Sequence, residues 1–125
     1  MLYLAAALMF ATGLAHSYLG ERYILIRLFK RDKLPVVLGS TAFTTGTLRF
    51  AWHLTTVAWW GLACLILLAA QNALGPAQVL RVIGVIALVS GLFPLYFTRG
   101  KHLSWIAFFV LGALLLLAAR GYPGA

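Results

Sequence analysis

The chain has 125 residues, of which 63% are apolar and only 10% charged, with a mean hydropathy of +0.98. Soluble domains carry roughly 45–50% apolar residues, so this composition excludes an ordinary water-soluble fold and points to an integral membrane protein of one domain, 1–125. The net charge of +8 sits beside hydrophobic runs, so the expected partner is a bilayer with anionic headgroups and no nucleic acid.

Four apolar runs follow in chain order, at about 2–19, 48–70, 79–97 and 103–119. Each approaches the ~20 residues that cross ~30 Å of hydrocarbon. Lipid cannot satisfy a bare backbone, so runs of this kind are expected to be helices. Gly75-Pro76 and Arg99-Gly100-Lys101 leave room only for short turns. The fold class expected is therefore all-α, an antiparallel four-transmembrane-helix bundle. The first run lacks a basic residue ahead of its apolar stretch and reads as a retained helix, not a secretory signal.

Between the first and second runs lies a loop of about 20–47. Its first part, Glu21 to Lys33, alternates apolar residues with five basic ones. It either prolongs the first helix or lies along the headgroups. After Pro35, a stretch rich in Ser, Thr and Gly (Gly39 to Thr47) reads as loop plus helix cap. This loop, Arg49 at its edge and the Arg99–Lys101 turn carry eight basic residues, against Arg81 and Arg120 on the opposite side. The positive-inside rule places the loop in the cytoplasm and both termini outside it.

Chemistry-bearing residues are few. His16, His53 and His102 fall within roughly 8 Å of one membrane boundary, counted at ~1.5 Å per residue. Glu21 lies just outside the first span on the same side. No metal motif by spacing is present, and His16 and Glu21 are about 140° apart on a helix, converging only if it bends or ends at Gly20. Arg49, His53, Thr56 and Trp60 form one face of the second span, running cation, imidazole, hydroxyl, aromatic. Such a face suits an amphiphile with an acidic head. The candidate cofactor-binding residues are thus His16, Arg49, His53, Trp60 and His102. The candidate ligands are haem held by two imidazoles, a quinone, or a lipid. A metal centre on His16, Glu21, His53 and His102 is the alternative.

Other classes find little support. The spans hold no Asp or Glu for proton-coupled export, and Ser17 beside His16 is not placed to be activated by it, since neighbours in sequence do not face each other on a helix. The single cysteine, Cys64, forms no internal disulfide and is expected to be a small buried hydrophobe. Trp52 and Trp105 read as interfacial, whereas one of Trp59 and Trp60 should turn toward the bundle to satisfy its indole. Gly13, Ser17 and Gly20 form one small face, and Gly84, Ala87, Gly91 and Pro94 another. Their number favours a homo-oligomer or a membrane protein partner. Two functions follow. One is a non-catalytic membrane subunit or accessory protein whose cytoplasm-side His/Arg/Glu rim binds a partner, lipid or amphiphilic cofactor. The other is a small membrane redox protein or enzyme using His16, His53 and His102, with Glu21, to bind haem, quinone or metal.

Overall fold

The computed structural model describes residues 1–31 and 33–122; the rest of the 1–125 domain, Asp32 of the loop included, lies outside them. The described residues form helices without a strand. Helix α1 is Leu2–Leu19, prolonged through a π-helical segment Gly20–Leu25 into the short α2, Ile26–Leu28. Helix α3 is Ala42–Ala70, α4 is Pro76–Phe97 and α5 is Ser104–Ala119.

Three of these, the α1–α2 continuation, α3 and α4, are long and apolar enough to cross a membrane. Helix α5 has 16 residues, about 24 Å at 1.5 Å per residue. It is therefore shorter than the full span expected of it. Helix α3 begins six residues ahead of the 48–70 run, and two threonines of its first turn donate to backbone carbonyls. Thr44 donates to the carbonyl of Pro35 at 2.7 Å and Thr45 to that of Ala42 at 3.0 Å. The Thr41 side chain makes no capping bond. Ahead of it, Leu38 and Gly39 take positive φ in a tight turn closed by reciprocal bonds between Val37 and Ser40.

Packing follows chain order. Backbones approach between α1 and α3, α3 and α4, and α4 and α5, while among the described residues α1 does not reach α4 or α5. The helices thus form an open row of antiparallel neighbours. Small residues set each contact and let the helices approach closely. Gly13 and Gly20 lie under the indoles of Trp60 and Trp52. Gly46 lies on the carbonyl of Phe97, and Gly61 on the side chain of Ile86. Gly84 and Gly91 receive Leu116 and Phe109 of α5, so the small face of the third run is used within the chain. Cys64 is exposed, not the buried small hydrophobe expected, and lines a groove between α3 and α4 with Gly61, Val82 and Val85.

Candidate functional site

Helix α3 meets α1 through a ladder that the amino-acid order makes possible. Trp52, Thr56 and Trp60 recur every four residues and so share one face. The Trp52 indole donates to the His16 carbonyl at 3.2 Å, the Thr56 hydroxyl to that of Gly13 at 3.2 Å, and the Trp60 indole to that of Phe10 at 3.2 Å. Three polar groups that hydrocarbon would leave bare are thereby satisfied on carbonyls three residues apart. The glycines at 13 and 20 permit this approach, since a Cβ at Gly13 would stand 2.6 Å from the Trp60 nitrogen. The ladder also identifies the residue of the Trp59–Trp60 pair that turns inward.

Beyond Leu19 the helix widens into the π segment. Ser17 and Glu21, four residues apart on either side of its start, share the side that faces α3, and π-helical turns often mark a functional site. Glu21 meets Arg49 through a two-pronged ion pair, with Nη2 to Oε1 at 2.8 Å and Nε to Oε2 at 3.1 Å. The same Oε2 lies 3.3 Å from His53 Nε2. The other ring nitrogen, Nδ1, is 2.8 Å from Ser17 Oγ, which is 2.7 Å from Thr56 Oγ1. One polar chain thus runs from Arg49 through Glu21, His53 and Ser17 to Thr56 and the Gly13 carbonyl. Arg49 also lies over the rings of Phe29 and Phe97, at 5.0 and 6.0 Å from their centroids. Two aromatic rings thus lie close to the guanidinium.

The three imidazoles occupy separate settings and have no partner residue in common. His16 stacks on Trp52 with ring centroids 4.6 Å apart, meets Trp59 edge-on at 5.0 Å, and bonds Thr55 Oγ1 at 2.8 Å. His53 belongs to the polar chain and has the rings of Phe93 and Phe97 nearby. His102 packs against Phe43 and Phe50, with Nδ1 2.8 Å from Ser104 Oγ. His16 and Glu21, five residues apart, do not converge; the helix neither ends nor reverses at Gly20. Among the described residues no group of three or more His, Cys, Asp or Glu is placed to hold a metal ion.

Arg49, His53, Thr56 and Trp60 form a common face, and α1 covers it: each bonds a residue of α1 or of its π extension. Sequence reasoning paired Ser17 with His16 and set it aside, whereas its partners are His53 and Thr56. The available signal was the four-residue spacing of Ser17 and Glu21, which matches a polar face on α3.

A second polar feature lies on the other side of Arg49. A notch of about 310 Å³ opens between the start of α3 and the end of α4, lined by Thr45, Gly46, Arg49, Phe97, Arg99 and Lys101 among others. Three cations border it. Glu21 neutralises Arg49, and no acidic side chain lines the notch beside Arg99 and Lys101. Arg99 adopts φ +52° and Gly100 φ +76°, the tight conformation that holds the connection between α4 and α5. The first turn of α3 contributes Ala42 and Phe43 to the wall, and the N–H groups of a helix's first turn carry partial positive charge.

Comparison of the chain with protein-family models, curated proteins and solved structures finds no match in any of the three.

Proposed function

We propose that the protein is a small integral-membrane protein whose notch at Arg49, Arg99 and Lys101 binds the anionic headgroup of a phospholipid-like amphiphile. The reading is carried by one observation: three basic side chains border a pocket that Phe43 and Phe97 line on its apolar side. Cations with an aromatic wall match a phosphate attached to a hydrocarbon body. Helices α1, α3, α4 and the shorter α5 lie in the bilayer, with the basic edge toward the cytoplasm and both termini on the other side. Arg120, at the end of α5, reaches the opposite headgroups with its long side chain. Haem, quinone and metal readings have less support, since the histidine partners described above leave no shared imidazole site.

The test removes the two cations that have no acidic neighbour in the notch. The Arg99→Gln/Lys101→Gln protein, reconstituted in mixed bilayers, should lose preference for phosphatidylglycerol over phosphatidylcholine. At roughly 1 kcal/mol per basic residue at an anionic surface, the two changes together weaken binding about thirtyfold. Arg81→Gln/Arg120→Gln carries the same charge change at the other end and should leave the preference intact. Equal loss in both double variants would reduce the effect to net charge and remove the site.

A further inference from the structure

The polar chain between α1 and α3 contains a hydrogen count that does not balance with neutral groups. Four contacts lie in sequence: Glu21 to His53 Nε2 at 3.3 Å, His53 Nδ1 to Ser17 at 2.8 Å, Ser17 to Thr56 at 2.7 Å, and Thr56 to the Gly13 carbonyl at 3.2 Å. Each needs one hydrogen between its heavy atoms. Ser17 and Thr56 supply one each, and a neutral imidazole supplies one more. The carboxylate and the carbonyl supply none. A neutral His53 therefore leaves one contact as two facing lone pairs.

An imidazolium completes the set. Nε2–H then donates to Glu21, Nδ1–H to Ser17, the Ser17 hydroxyl to Thr56, and the Thr56 hydroxyl to Gly13. The additional hydrogen belongs on the imidazole, because both Glu21 oxygens already accept from Arg49. We propose that Glu21, His53, Ser17 and Thr56 form a binding site for one proton, held as the His53 imidazolium, whose uptake completes the α1–α3 contact.

The surroundings fit that role. Glu21 balances the charge from the π segment, and Arg49 is the charged neighbour on α3. From α4 the rings of Phe93 and Phe97 face His53. Thr56, at the inner end, is 3% exposed, so water cannot supply a missing partner there. Ser17 and Glu21 line an open groove with Leu14, Tyr18, Arg22 and Ile26, which gives the proton a route in and out. The inference is independent of the anion notch, which shares Arg49 and Phe97 with it.

The experiment reads His53 itself, by imidazole ¹⁵N signals in the full chain in lipid nanodiscs, across the pH range in which the protein stays folded. A ring singly protonated throughout would overturn the proposal. Thr56→Val is the sharper test, because Thr56 makes no bond to His53. Without that hydroxyl, Ser17 can donate to a neutral Nδ1 and every remaining contact is satisfied. The ratio of doubly to singly protonated His53 at one pH should then fall roughly twofold to tenfold, the value of one hydrogen bond. Ser17→Ala, which removes the acceptor of Nδ1–H, should lower the ratio as well and serves if Thr56→Val does not fold. Thr55→Val, whose hydroxyl serves His16 on the opposite flank, should leave it unchanged. A ratio unmoved by the Thr56 and Ser17 changes, or moved as much by the Thr55 change, would overturn the proposal.

Discussion

Glu21→Ala is expected to release α1 from α3, at a cost of roughly 2–4 kcal/mol. Glu21 is the acceptor for two nitrogens of Arg49 and one of His53. Bonds to a charged group are each worth about 1.5–3 kcal/mol, and an ion pair broken on one side leaves the other charge without compensation. The side chains of Arg49 and Glu21 are 32% and 29% exposed, so solvent screening keeps the total well below the sum of three such bonds. Arg49→Gln should cost less, since Glu21 retains His53. Detergent-induced unfolding of the purified protein measures both. A Glu21→Ala loss no greater than that of Arg81→Ala would show that the ion pair does not hold the helices.

Gly46→Ala is the second large effect. Its added Cβ would fall on the carbonyl of Phe97, which is backbone. Neither helix can turn a rotamer to make room, so α3 and α4 must separate at their crossing, with a destabilisation of about 1–3 kcal/mol or more. Gly61→Ala provides the comparison, because its Cβ would meet the flexible end of Ile86, which can rotate aside. The expected order in the same unfolding assay is a greater loss for Gly46 than for Gly61. Gly46 also lines the anion notch, so its alanine variant should lose acidic-lipid preference while Gly61→Ala should keep it. Equal losses of stability would mean that the crossing is looser than the backbone contact implies.

These residues also show how far the amino-acid order carries. Hydropathy alone located the apolar cores of all four helices, because span length is fixed by composition and rise per residue. It did not locate the start of α3, since Thr44 and Thr45 read as loop until their bonds to carbonyls are known. The π segment was out of reach for a different reason. Helical-wheel reasoning assumes a constant 100° per residue and carries no signal for a local departure from it. The stripe Arg49, His53, Thr56, Trp60 was visible, but a stripe does not name its occupant. It read as a cradle for an amphiphile, and in the fold the carbonyls and polar side chains of α1 and its extension lie in it. Arg99 and Lys101 were counted as topology signals, since only the fold brings them beside Arg49 at one notch.

Native mass spectrometry of the unaltered protein, released from bilayers of equal phosphatidylglycerol and phosphatidylcholine, tests the lipid-binding claim most directly. Retention of one phosphatidylglycerol per chain in excess of phosphatidylcholine, lost as salt screens the basic notch, is the expected result. Equal retention of the two lipids at low salt would contradict it.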